Sequence, residues 1–204
     1  MGLPIGVAVF VEISMFAAVA LAIGSLGTAP VAGHQVALNF VAVTFMVPLG
    51  ISMAVTVRVG HAVGRGDPGA VRFTALVGGG MAMAAQAVSA SVMLLLPRQV
   101  AAIYTDDPAV IAVARDLLVL AAVFQLSDGL QVSAAGALRG LKDTRVPMLV
   151  IVVAYWLVGI LLGWLLGFFL GFGARGLWMG LIAGLTLAAT LLAARFLRVT
   201  WASA

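Results

Sequence analysis

Six long, almost unbroken apolar stretches alternate with short polar segments along the chain. They run approximately over 3–26, 35–57, 72–96, 109–138, 147–170 and 176–196. Each is near the roughly 20 residues that a helix needs to cross a bilayer. A transmembrane β-barrel would alternate apolar and polar residues at every second position, and these runs do not. The pattern predicts an all-α integral membrane protein: a bundle of six transmembrane helices forming one domain over residues 1–204.

Composition agrees with the pattern and removes several chemistries. The chain is 64% hydrophobic and 9% charged, with a mean hydropathy of +1.21. A water-soluble domain cannot hide that much apolar surface, so its main solvent is lipid. The absence of cysteine excludes disulfides, thiolate metal sites and cysteine nucleophiles. The formal net charge of +4 comes from basic residues in short loops between apolar runs. Membrane orientation accounts for them, and no nucleic-acid partner is expected. The first 26 residues lack a basic start, exceed a signal h-region and contain Glu12, so they read as a retained helix.

Charge also gives an orientation. Arg58, Arg65, Arg72, Arg139, Lys142, Arg145, Arg195 and Arg198 fall on one side of the predicted bundle, and Arg98, Arg115 and Arg175 on the other. Loops rich in Lys and Arg stay in the cytoplasm, so both termini are predicted to face it. At about 1.5 Å per residue, Glu12, Pro48 and Asp128 lie about 13, 15 and 16 Å from that edge. The hydrocarbon core is about 30 Å thick, so three helices place their irregular feature near one level.

A charge at that depth costs about 2.5–3.5 kcal/mol, and such residues face a partner, a cavity or an ion path. Glu12 and Asp128 are therefore the candidate coupling groups, suited to bind and release a proton or a small cation. The competing reading is an interhelical hydrogen bond. The spans hold no Lys or Arg near this level, which argues against a static ion pair. Phe124, Gln125 and Gln131 lie three or four residues from Asp128 and share its helix face. Asn39, in the outer part of its helix, is available to a substrate or to a neighbouring helix, and packing is the commoner use. Pro48 deprives the Thr44 carbonyl of its donor and Gly50 loosens the next turn, which marks a hinge or a static kink.

Other features read as structural. Gly159, Gly163, Gly167 and Gly171 recur every four residues, as do Gly176, Gly180 and Gly184, the pattern of two closely packed helices. His34 and His61 sit near segment ends without a second ligand at metal spacing. No nucleophile–base pair or metal cluster suggests an enzyme.

The segments LPIGVAVFVEISMFA, GHQVALNF, VPLGISMAVTVRVGHAVGRGDP, YTDDP and GALRGLKDTRVP resemble, in order, the C-terminal half of MATE multidrug efflux transporters of the NorM type. The resemblance implies one six-helix lobe of a twelve-helix fold in a bacterial plasma (inner) membrane. It also implies export of cationic or amphiphilic drugs against inward H⁺ or Na⁺, with no other cofactor. In that family a glutamate and an aspartate of the cation site match Glu12 and Asp128, where Na⁺ would bind. Members can carry a tyrosine one turn before the aspartate; Phe124 stands there here, which favours H⁺.

The resemblance further implies a second six-helix lobe, either an N-terminal half or another copy of the chain. Parallel lobes related by an axis along the membrane normal can pair in this way. Two alternatives remain at this point. A lipid-linked oligosaccharide flippase of the same superfamily would need Arg or Lys in its cavity for the phosphates. A truncated, non-transporting membrane subunit would use both acids only for packing.

Overall fold

The computed structural model describes residues 2–201, and among them there are helices and turns but no strands. The helices are α1 (Gly2–Gly24), α2 (Thr28–Gly64), α3 (Pro68–Leu95), the short α4 (Pro97–Ala102), α5 (Pro108–Gly140), α6 (Arg145–Phe169) and α7 (Gly173–Trp201). All except α4 are long and apolar enough to cross a membrane, giving six candidate spans.

Local chemistry sets the helix ends. Asp67 caps α3 by accepting from the Ala70 amide, and Asp107 caps α5 by accepting from the Ala109 amide at 2.8 Å. A proline follows each cap as the first helical residue, where its missing N–H costs nothing. Gly66, at φ 67°, makes the turn from α2 into the Asp67 cap. Lys142 makes the corresponding turn after α5 at φ 63°, a conformation that usually falls to glycine.

Each predicted stretch falls mainly within one helix, with 3–26, 72–96 and 147–170 running one or two residues past its end, but α2 is much longer than its apolar run. Its 37 residues extend about 55 Å, well beyond a hydrocarbon core of about 30 Å. The sequence reading stopped at His34 and Arg58 because both are polar. The helix continues past His34 because that side chain is buried, only 1% exposed, and accepts a hydrogen bond from Trp178 Nε1 at 3.2 Å.

The core is built around α5, which carries the longest set of buried residues and touches α2, α3 and α7. Contacts between α2 and α5 rise together in number: Ser52 Oγ donates to the Val132 carbonyl at 2.7 Å and Thr56 Oγ1 to the Gly136 carbonyl at 2.9 Å. The two helices therefore run parallel, an alignment that needs small residues. A Cβ on Gly140 would sit 2.8 Å from the Thr56 carbonyl. On the far side, α6 lies against α7 through the glycine ridges. Gly159 faces Gly180 and Gly184, Gly163 faces Leu177 and Gly180, and Gly176 faces Gly167. Gly171 is not part of this seam; it takes φ 74° in the turn between the two helices. Along the seam α6 widens into i→i+5 turns over Val153–Ile160 and Leu165–Phe169. Helix α1 packs on α6 and α2 at the edge of the bundle, with most of its surface exposed.

Candidate functional site

Asp128 is 3% exposed, on the face of α5 that meets α3. Its neighbours form a buried polar chain across three helices. Gln86 Nε2 of α3 donates to Gln125 Oε1 at 2.6 Å and points toward Asp128 Oδ2 at 3.5 Å. Gln125 Nε2 donates to Ser89 Oγ of α3 at 3.1 Å and to Thr44 Oγ1 of α2. Thr44 in turn donates to the Phe40 carbonyl at 3.0 Å. Gln86 Oε1 is buried without a partner, and so is the Tyr155 hydroxyl of α6.

Glu12 occupies a different setting. It is half-buried on α1 and lines a cavity of about 450 Å³ between α1, α2, α5 and α6. The walls are mainly apolar, with Phe16, Phe45, Leu49 and Met148 among them. Gln131 and Arg139 supply the polar positions on the α5 side. Asp128 does not line the cavity, yet Glu12 is within electrostatic range of Asp128, Arg139 and Tyr155.

Arg139 corrects the sequence reading, which left the spans without a basic residue near the acids. It belongs to the last turn of α5, lies on the cavity wall and donates to Ser52 Oγ at 3.3 Å. Its long side chain carries the guanidinium well away from its Cα, so residue spacing alone misjudged the depth of the charge. Among the described residues no ion pair closes between Arg139 and Glu12.

The other sequence candidates fall in three places. Gln125 and Gln131 flank Asp128, one in the amide chain and one on the cavity wall. Phe124 is buried in a row of rings: its centroid lies 6.0 Å from those of Phe16 and Trp178, edge-on to both. Asn39 is not brought together with the acids; it is exposed and accepts from the Tyr104 hydroxyl at 3.1 Å. Helix α2 runs on through Pro48, which is buried, and Gly50, which has open space around it.

Sequence reasoning passed over Gln86, Thr44, Ser89 and Tyr155. The signal was present for Gln86, a lone amide in the apolar run MAMAAQAVSASV, and for Tyr155 in VVAYWLVG. A polar group in such a run needs a partner inside the protein.

Similarity to known proteins points the same way as this geometry. The MatE family profile matches residues 4–165. The chain is 55% identical over 201 residues to the multidrug resistance protein PmpM of Pseudomonas aeruginosa, covering 97% of this chain and 42% of that protein. It is 53% identical over 195 residues to a probable multidrug resistance protein NorM of Xanthomonas axonopodis pv. citri, covering 96% and 43%. It thus spans about two-fifths of the length of these curated relatives. Among solved structures, a MATE in the bent conformation superposes with a TM-score of 0.91 at 17% identity, covering 99% of this chain and 45% of that one. The eukaryotic MATE transporter AtDTX14 gives 0.89 at 21% identity, covering 96% and 44%. At those identities the structural likeness speaks for the fold, and the profile match carries the assignment: this chain, with six candidate membrane spans among its described residues, belongs to the MatE family.

Proposed function

We propose that the chain is one lobe of a secondary antiporter in the bacterial inner membrane, both termini cytoplasmic, exporting cationic or amphiphilic small molecules. The observation that carries this reading is the pair of acids in an apolar bundle, one buried on α5 and one half-buried on α1. Asp128 is buried in an amide chain, and Glu12 lines a cavity large enough for part of a small amphiphile. Coupling needs a group that binds ion or substrate but not both at once, with the ion favouring one facing state. Two acids within electrostatic range of each other supply such a group, because a cation at one changes the cost of charge at the other. The hinge of the alternation is assigned to Pro48 and Gly50 of α2, next to the Thr44 carbonyl that Pro48 leaves without its helical donor. The relatives named above are more than twice as long, and activity is assigned to the pairing of this lobe with a second one.

One feature supports H⁺ as the coupling ion. Position 124 offers a phenyl ring, already engaged by Phe16 and Trp178.

The test is efflux of a fluorescent cation from proteoliposomes, with this chain alone and joined to the remaining half of the transporter. The joined protein is expected to transport under an imposed proton gradient, and the chain alone is not. Asp128→Asn and Glu12→Gln keep shape and hydrogen bonding but cannot titrate, and each is expected to cut driven efflux at least tenfold while leaving the fold intact. Full proton-driven efflux by the double variant would remove both acids from the mechanism. Efflux driven by Na⁺ alone would overturn the ion assignment.

One observation favours a second reading. Arg139 on the cavity wall is the kind of residue a phosphate-bearing, lipid-linked cargo would need. Glu12 shares that wall and repels phosphate, so the antiporter reading is preferred.

A further inference from the structure

We infer that Gln86 is a positioning residue of the coupling site: it ties Asp128 to Gln125 and Thr44 in a hydrogen-bonded chain whose donor direction reverses when Asp128 takes up a proton. This rests on the reading of Asp128 as a proton-coupling group.

Gln86 is fully buried, and the helix packing makes room for it beside Asp128. The next residue of α5 is Gly129, where a Cβ would come within 2.8 Å of Gln86 Cγ and 3.4 Å of Gln86 Cβ. Any larger residue would push the amide off its seat between Asp128 and Gln125. A side chain held so closely is also left half-satisfied, because its Oε1 has no partner. An unpaired buried acceptor costs about 1–3 kcal/mol, so the orphan oxygen calls for an explanation.

The explanation lies in what each group can donate. Ionised, the Asp128 carboxylate only accepts, and it faces the Gln86 N–H group. Protonated, it has one O–H to donate and needs an acceptor. A half-turn of the Gln86 amide exchanges its nitrogen and oxygen and presents that acceptor. Gln125 must then turn as well, so that its Nε2 donates to Gln86 Oε1. Its own oxygen then meets Thr44 and Ser89, whose hydroxyls can donate as readily as accept. One proton enters, onto the Asp128 carboxylate, and nothing else is transferred; two amides and two hydroxyls rotate. Either direction leaves one Gln86 atom unpaired, so neither is locked.

The far end of the chain gives the reversal a consequence. Thr44 now shares its proton between the Phe40 and Val41 carbonyls, each at 3.0 Å, and in the reversed state it gives it to Gln125. That changes the load on backbone carbonyls of α2 about two turns before Pro48, in the turn that precedes the Thr44 carbonyl left without its donor. The ionisable groups that act on Asp128 are Glu12 from α1 and Tyr155 from α6, with Arg139 acting on Glu12. Thr44, Ser89 and the two amides are neutral at any pH, so they can relay the proton's arrival without changing charge.

The experiment is infrared difference spectroscopy of the whole chain in lipid vesicles, between acid and neutral pH. A carboxyl C=O band absent from Asp128→Asn is assigned to Asp128; if no band qualifies, the coupling reading fails, and this inference with it. With the band assigned, Gln86→Met is expected to move it to higher wavenumber, as a carboxyl loses its acceptor. The side-chain amide bands that accompany it in the wild type are expected to vanish. Thr44→Val, at the far end, is expected to leave the carboxyl band in place and weaken the amide bands at least twofold. An unmoved carboxyl band in folded Gln86→Met overturns the inference. Should Gln86→Met fail to fold, wild-type amide bands in a folded Thr44→Val, Ser89→Ala variant overturn it instead.

Discussion

Gly136 shows how little room the centre of the lobe leaves for a side chain. A Cβ there would meet the Ser52 hydroxyl directly and stand 2.8 Å from the Ser52 carbonyl, which belongs to the rigid backbone of α2. Gly136→Val is expected to lower unfolding stability by about 1–3 kcal/mol, the range for overpacked cores. Gly79 of α3 has nothing within 4 Å of its missing Cβ. Gly79→Ala is expected to add about 0.5–1 kcal/mol by removing backbone freedom. Both are read from denaturant unfolding in detergent, and wild-type stability of Gly136→Val would mean that α2 and α5 do not touch there. At this scale the acids were legible because a charge in an apolar run is conspicuous by its cost. Gln86 and Tyr155 were harder to see: an amide or phenol costs less to bury, so the sequence marks it weakly. Arg139 was misjudged because its Cα marks the helix end while its guanidinium reaches back to Ser52.

Among the elements, the seam between α6 and α7 was the part best read in advance. Glycines spaced four apart on two consecutive helices have one straightforward use, which is to let the backbones meet, and the contacts of Gly180 with Gly163 and of Gly184 with Gly159 are of that kind. Gly180→Leu has no flexible neighbour to displace and is expected to cost at least about 2 kcal/mol, seen as a lower melting temperature and poor yield in detergent. Changes away from the seam lack this effect: Leu191→Ala, half-exposed on the same helix, is expected to stay near wild type. Equal melting of Gly180→Leu and Leu191→Ala would dissolve the seam. Less was legible elsewhere. The widening of α6 into i→i+5 turns has no mark in the apolar pattern. The true length of α2 was hidden because hydropathy stops at a polar residue, whereas a helix stops only where its backbone does. His34 is polar yet buried, and Trp178, 144 residues further on, is what makes that tolerable.

For the molecule as a whole, the ends of the bundle carry its orientation. At one end Arg72 donates to the Thr200 carbonyl, Arg195 pairs with Asp143 at 3.0 Å, and the basic turn from Arg139 to Arg145 lies alongside. At the other end Asp116 of α5 is held by Arg115 and by Arg175 of α7. Exposed pairs of this kind contribute about 0–1 kcal/mol, so they matter less for stability than for where they put charge. The first end gathers eight of the eleven basic residues, and moving such a cluster across a bilayer is what the positive-inside rule forbids. Reporter fusions after Gly66, Lys142 and Trp201 are therefore expected to report cytoplasm, and fusions at Gly27, Asp106 and Gly171 the opposite side. Because consecutive spans must alternate, one discordant site is informative: a cytoplasmic signal at Asp106, with Lys142 also cytoplasmic, would mean that α5 does not cross. The proposed mid-membrane depth of Asp128, and with it the coupling role assigned to that acid, would then fall.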